Sequence, residues 1–142
     1  METRLVMNDL SELGFGVMDR PGDLPALVLA YIGDAVYELA VRSSLVAAGR
    51  MKVRQMHQET VRHVNASAQA EALRLLEGIL TEDEAAVARR GRNTKSAHAP
   101  RRAGVIDYRH STALECLIGY LFLKGERQRL EEILNIVLSG KV

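Results

Sequence analysis

Two acidic side chains sit in stretches where little else is polar. Asp34 lies within Leu29-Ala30-Tyr31-Ile32-Gly33-Asp34-Ala35-Val36, and Glu115 within Thr112-Ala113-Leu114-Glu115-Cys116-Leu117-Ile118-Gly119. An ionised carboxylate in apolar surroundings is strongly disfavoured unless it is paired, hydrogen-bonded or bound to a metal ion, so each acid requires a partner. Simpler roles are open to both. Asp34 and Glu38 fall on nearly the same helix face, where Glu38 can pair with Arg42 at i,i+4. Thr112-x-x-Glu115 is also a capping-box pattern, which would occupy Glu115 with backbone amides. Gly33 needs its own account, because glycine inside a helix costs roughly 1 kcal/mol relative to alanine and is usually kept for the close approach of a backbone or ligand.

The other reactive groups are few. Cys116 is the only cysteine, which excludes an internal disulfide and a thiolate-rich zinc site. With no basic neighbour to stabilise a thiolate, it reads as a buried structural residue. His57, His63, His98 and His110 form no i,i+4 pair and read as surface or phosphate-contact groups. The cations are concentrated: Arg89, Arg90, Arg92, Lys95, Arg101, Arg102 and Arg109 face a single acid, Asp107, over one short segment. The whole chain carries a net charge of only +1, so the remainder is acidic. That asymmetry suits a polyanion on one face, unless the segment is simply a solvated basic loop.

These groups must be positioned by helices. At 142 residues the chain is sized for one domain and one core. Residues 1–20 form a weakly periodic N-terminal segment, and Pro21-Gly22-Asp23 reads as a turn opening a domain over 21–142. Apolar residues Leu24, Leu27, Val28, Tyr31, Ile32, Ala35, Val36 and Leu39 recur at helical spacing and predict a long, mostly buried helix to Ala47. Further helices are predicted over Lys52–Val64, Ala66–Leu76, about Glu82–Arg90, Ser111–Lys124 and Glu126–Leu138. Thr81 and Glu84 provide a capping box for the fourth. Residues 91–109 read as a long loop, and no strand-like alternation appears, so the fold class is an all-α bundle. Apolar runs are broken by charge before the length that spans a membrane, and Glu2, Arg4, Asp9 and Glu12 interrupt any secretory signal. A cytoplasmic protein is expected.

The two acidic segments resemble the ribonuclease III family. The run from Leu29 to Val36 is similar to its signature helix, and the run from Thr112 to Gly119 to its second acidic helix. The order and separation of the two match over roughly residues 21–138. Tyr31-Ile32-Gly33-Asp34-Ala35, Arg90-Gly91-Arg92-Asn93-Thr94-Lys95-Ser96 and Tyr108-Arg109-His110-Ser111-Thr112-Ala113 together resemble the Mini-III branch, whose members look like a ribonuclease III catalytic domain with no separate double-stranded-RNA-binding domain. Larger family members carry a glutamate four residues before the aspartate and an aspartate three residues before the glutamate. Here those positions are Ala30 and Thr112.

The resemblance implies a ribonuclease III-like helical bundle that cleaves double-stranded RNA, with Asp34 and Glu115 as catalytic Mg2+ ligands. A metal held this way stabilises charge on the scissile phosphate and lowers the pKa of an attacking water, leaving 5′-phosphate and 3′-hydroxyl ends. It further implies a homodimer joined through Tyr31, Ile32, Gly33 and Ala35. The implied substrate is precursor large-subunit ribosomal RNA, with a large-subunit ribosomal protein as an assisting partner. Duplex RNA is recognised through shape, phosphates and 2′-hydroxyls. Arg89, Arg90, Arg92, Lys95, Arg101 and Arg102 are expected on phosphates, Asn93, Thr94 and Ser96 on 2′-hydroxyls, and Arg54, Arg62 and His63 as an extension of the track. Two other readings fit the same residues: a catalytically silent RNA-binding assembly factor, suggested by Ala30 and Thr112, and a protein–protein adaptor.

Overall fold

The computed structural model describes residues 17–94 and 104–140. A short 3-10 turn at Pro21–Asp23 precedes six helices: α1 (Ala26–Ala47), α2 (Val53–Val64), α3 (Ala66–Leu75), α4 (Glu82–Arg92), α5 (Val105–Lys124) and α6 (Arg127–Ser139). No strand occurs among the described residues, and no helix there is long and apolar enough to cross a membrane. The all-α expectation and the six helical segments hold, with boundaries shifted most at the start of α5.

α5 is the central helix. It is buried almost continuously from Ser111 to Leu121 and touches α1, α3, α4 and α6, as well as the 3-10 turn. A helix apolar on all sides must be enclosed in this way. Its N-terminal half explains the boundary. Ser111 Oγ and Thr112 Oγ1 both donate to the Tyr108 carbonyl, at 2.7 and 3.0 Å, so residues that look like an N-cap lie inside the helix. The loop read over 91–109 is therefore shorter: α4 runs on to Arg92, and α5 begins at Val105. Gly125 ends α5 in the left-handed conformation at φ 78°, with Glu126 N–H reaching the Leu121 carbonyl at 3.1 Å.

α1 crosses α5 with backbone against backbone. A Cβ added at Gly33 would overlap the Glu115 carbonyl oxygen and stand 2.6 Å from its carbon. One added at Gly119 would overlap the Leu29 carbonyl oxygen and stand 2.9 Å from its carbon. No side chain fits between the helices at either point. Cys116 continues the seam, donating from Sγ to the Ala26 carbonyl at 3.0 Å, and is buried as expected of a structural thiol. Burial, then the neighbouring Glu115 charge, pushes its pKa up to about 11, which leaves it unreactive.

The other face of α1 differs from the sequence expectation. Ala26, Leu29, Ala30, Gly33, Tyr37, Val41 and Leu45 form the buried stripe, whereas Leu27, Val28, Tyr31 and Leu39 are exposed, Tyr31 to 79%. The helix is apolar on two faces, and only one of them meets the core.

Two capping interactions fix the smaller helices. Asn65 breaks the chain between α2 and α3 and accepts from Ala68 N–H at 2.9 Å. Thr81 and Glu84 form the predicted capping box, and Arg129 of α6 grips the Glu84 carboxylate with Nε and Nη2 at 2.8 and 2.9 Å.

Gly119→Ala tests the crossing. The gain in helix propensity is about 1 kcal/mol, but forcing a methyl into a backbone contact should outweigh it and destabilise the protein by about 2 kcal/mol net. Chemical denaturation gives the midpoint, and an unchanged or raised value would refute the tight packing.

Candidate active site at the crossing of two helices

The glycine crossing decides where the two acids go. Gly33 rests on the carbonyl of Glu115, so the residue after Gly33 and the side chain of Glu115 leave the seam at the same level. Asp34 is exposed and Glu115 half-buried, and their carboxyl groups lie within hydrogen-bonding reach of one another. The two sequence-predicted acids, more than half the chain apart, are thus brought together.

Their electrostatics are those of an incomplete site. Burial first, then the like charge and hydrogen bond of Asp34, push the Glu115 pKa up to about 8, while Gln69 on α3 pulls it slightly back. Neither acid belongs to any ion pair among the described residues. Nor do those residues hold any cluster of three or more potential metal-ligating side chains of the His, Cys, Asp or Glu type. Two adjoining carboxyls without a basic partner fit a hard divalent cation, which would supply the missing positive charge and take oxygen ligands. Both simpler roles for these positions are also decided. Glu38 pairs with Arg42 at 2.8 Å and stays apart from the acid pair, and Glu115 lies mid-helix, where it caps nothing.

The positions that carry acids in larger family members are closed to solvent here. Ala30 is in the core, and Thr112 is buried with its hydroxyl bonded to Tyr108.

The expected RNA-contact residues separate into groups. Arg89, Arg92 and Asn93 are exposed at the C-terminal end of α4, with Arg109 exposed on α5. Thr94 donates its hydroxyl to the Arg90 carbonyl at 2.8 Å and closes that helix end. Arg90 departs from the expectation. It donates to the carbonyls of Gly22 and Leu24, at 2.8 and 2.7 Å, and ties the N-terminal turn to α4 because those carbonyls precede α1 and lack helix partners. Arg54 and Arg62 are exposed on α2, with His63 half-buried, and α2 packs on α1 and α3. Lys95, Ser96, Arg101 and Arg102 lie outside the described residues. His110 differs from its surface reading: its Nδ1 is buried with no hydrogen-bond partner, beside a cavity of about 280 Å³ that Arg89 and Arg92 also line.

Of the expected interface residues, Tyr31 and Ala35 are exposed and Ile32 is half-buried. Gly33 does not reach the surface, because its missing side chain serves α5 of the same chain. Gln69 was not foreseen. It stands on the buried stripe of α3 with Ala72 and Leu76, and a polar residue in phase with that stripe was the available signal.

Comparison with known proteins shows the family and the fold. Residues 27–126 match the family model of the ribonuclease III domain. The chain is 49% identical over 109 residues to a Mini-ribonuclease 3 of Brevibacillus brevis, covering 77% of this chain and 81% of that protein. It is 47% identical over 113 residues to a Mini-ribonuclease 3 of a Thermoanaerobacter species, covering 80% of each. A crystal structure of a Fusobacterium nucleatum protein superposes with a TM-score of 0.74 at 30% identity, covering 84% of this chain and 96% of that one.

The acid pair makes a prediction about stability without metal. Glu115 titrates higher in the folded chain than in the unfolded one, so the native state holds the extra proton between about pH 4.5 and about 8. Stability in EDTA should therefore fall as pH rises through that window. Asp34→Asn removes the like charge, so it should flatten the fall and raise the melting temperature near the top of the window. Superimposable melting curves of the two proteins at every pH would refute the coupling.

Proposed function

The chain belongs to the Mini-III branch of the ribonuclease III family and is an endoribonuclease, and from this premise we propose that it cleaves double-stranded RNA with Mg2+ held by Asp34 and Glu115. The observation that carries the proposal is the meeting of these two carboxyls at the α1–α5 crossing with no ion-pair partner among the described residues. Asp34 and Glu115 would hold the ion, whose chemistry there would be charge stabilisation at the scissile phosphate and a lowered pKa for an attacking water. The chain's own residues do the rest. The crossing fixes the two carboxylates relative to each other, and the buried Ala30 and Thr112 limit the set of acids to two. No nucleophilic side chain is called for, since Cys116 is buried and unreactive.

Affinity for the duplex is assigned to Arg89, Arg92 and Asn93 at the end of α4, extended by Arg109 and by the cations of the following segment, Lys95, Arg101 and Arg102. Arg54, Arg62 and His63 on α2 form a second basic region. Arg90 is left out, because its guanidinium is occupied by backbone carbonyls. The stripe of Leu27, Val28, Tyr31, Ala35 and Leu39, exposed in the single chain, is proposed as the homodimer face, which would put two acid pairs on one duplex, one for each strand. Precursor large-subunit ribosomal RNA in the cytoplasm, with a large-subunit ribosomal protein assisting, is the substrate proposed from membership in the Mini-III branch.

Cleavage of a long RNA duplex in Mg2+ tests the assignment. Asp34→Asn and Glu115→Gln should each abolish measurable cutting while leaving duplex binding nearly intact, because each removes an oxygen ligand with little change in volume. Wild-type turnover in either variant would sink the metal-site assignment. A wild-type protein that binds the duplex without cutting it would favour the silent assembly factor instead. Replacing Arg89 and Arg92 together with alanine should weaken binding and lower the slope of log affinity against log salt by about one for each lost phosphate contact. An unchanged slope would remove the α4 end from the RNA interface.

A further inference from the structure

Gln69 is a polar residue in an apolar place. Its side chain is only 1% exposed, it lies on the face of α3 that packs on α5, and its Nε2 finds no hydrogen-bond partner. Its surroundings on α3 are small and apolar: Ala66, Ala68, Ala70 and Ala72. Leucine or methionine would fill such a position without stranding an amide, and buried polar groups left unpaired call for a reason. The helix that carries Gln69 is anchored. Asn65 caps it through Ala68 N–H and donates from its own amide to the Val61 and Arg62 carbonyls, at 3.0 and 3.1 Å. Gln69 therefore projects from the first turn of a fixed helix.

The group it faces is Glu115. The glutamine side chain is near enough to favour the ionised carboxylate, yet its nitrogen is not aligned into a formed hydrogen bond. We propose that Gln69 is a positioning residue of the active site: its amide nitrogen donates to one oxygen of Glu115 and so turns the other toward the divalent cation. This inference rests on the nuclease reading given above.

An amide suits the task better than a charged donor. A lysine or arginine in its place would neutralise the acid pair and repel the cation that the pair is there to hold. Glutamine donates without carrying charge or titrating, so it orients the carboxylate and leaves the local field negative. Ligating carboxylates are commonly held by such outer hydrogen bonds, and loss of one weakens metal affinity or activity by about 10- to 100-fold.

Gln69→Met separates positioning from packing, because it keeps the length and burial of the side chain and removes the donor. The full chain is titrated with Mg2+ by calorimetry, melted in EDTA, and assayed on an RNA duplex over a range of Mg2+ concentrations. The proposal expects a melting temperature in EDTA equal to or above that of the wild type. It also expects a Mg2+ dissociation constant raised about 10- to 100-fold, with the Mg2+ requirement for cleavage shifted by a similar factor. A lower melting temperature with unchanged Mg2+ affinity would assign Gln69 to packing alone and overturn it.

Gln69→Glu is the second variant, equal in shape but with an acid in place of the donor. It should melt lower than wild type in EDTA, because a third carboxylate joins the pair, and gain more from added Mg2+. Insensitivity to both conditions would show that position 69 does not face Glu115 in the working protein. If the wild type neither binds Mg2+ nor cuts duplex RNA, the nuclease reading itself falls. If it does both and Gln69→Met matches it, only the role of Gln69 falls.

Discussion

The contact of two helix backbones at Gly33 and Gly119 sets the position of everything else. With no side chain between them, α1 and α5 approach until the carbonyls of Leu29 and Glu115 rest against the opposite glycine. Contact this close fixes both the separation of the helices and their register, because a slide of one residue would drive a side chain into a backbone. The acids are attached to that register. Asp34 follows one glycine of the crossing, and Glu115 supplies the carbonyl on which the same glycine sits, so the geometry of the acid pair is inherited from the core.

The same helix then serves three surfaces. One face of α1 carries Leu29, Tyr37, Val41 and Leu45 into the core, an edge presents Asp34, and the opposite face exposes Leu27, Val28, Tyr31 and Leu39. Exposed apolar side chains scattered singly need no explanation, and it is their spacing as a stripe along one element that supports the proposed homodimer face. Because the stripe and Asp34 share one rigid helix, whatever covers the stripe is held at a fixed distance from the acid pair. That linkage ties the proposed homodimer to the spacing of two cleavage sites.

What was legible in the sequence follows from range. Local signals read true: the Thr81–Glu84 capping box, the Glu38–Arg42 pair and the helical periods all depend on residues within about a turn of one another. The location of the acids on two separate helices was legible for the same reason, helped by the family resemblance. Long-range facts were not. Gly33 reads in the sequence as a place of close backbone approach, and only the fold shows that the backbone is that of Glu115 in the same chain. Arg90 looked like one more cation in a basic run, and only the fold brings it to the carbonyls of Gly22 and Leu24. Ser111 and Thr112 imitate a helix start because a hydroxyl that back-bonds inside a helix is indistinguishable in sequence from one that caps it. Gln69 was hidden in a helix-forming alanine run that says nothing about what the helix packs against.

Glu84 and Glu115 show how differently one fold treats two glutamates removed from water. Burial alone would raise both. At Glu84 the effect is overridden by hydrogen bonds from Arg129 and the Thr81 backbone and by the arginine charge, so its pKa ends below the ordinary value. At Glu115 no cation among the described residues forms an ion pair, the charge that acts on it is the Asp34 carboxylate, and burial with that charge raises the pKa to about 8. The chain is evidently able to satisfy a buried carboxylate with a two-pronged arginine and a helix cap. The acid pair on the α1–α5 seam therefore is not an inevitable by-product of packing. Groups whose pKa is strongly shifted, and which the structure does not pair, are concentrated at functional sites. One fold thus pairs one buried glutamate with an arginine and leaves the other facing an aspartate, and it is this contrast that the proposed cation site rests on.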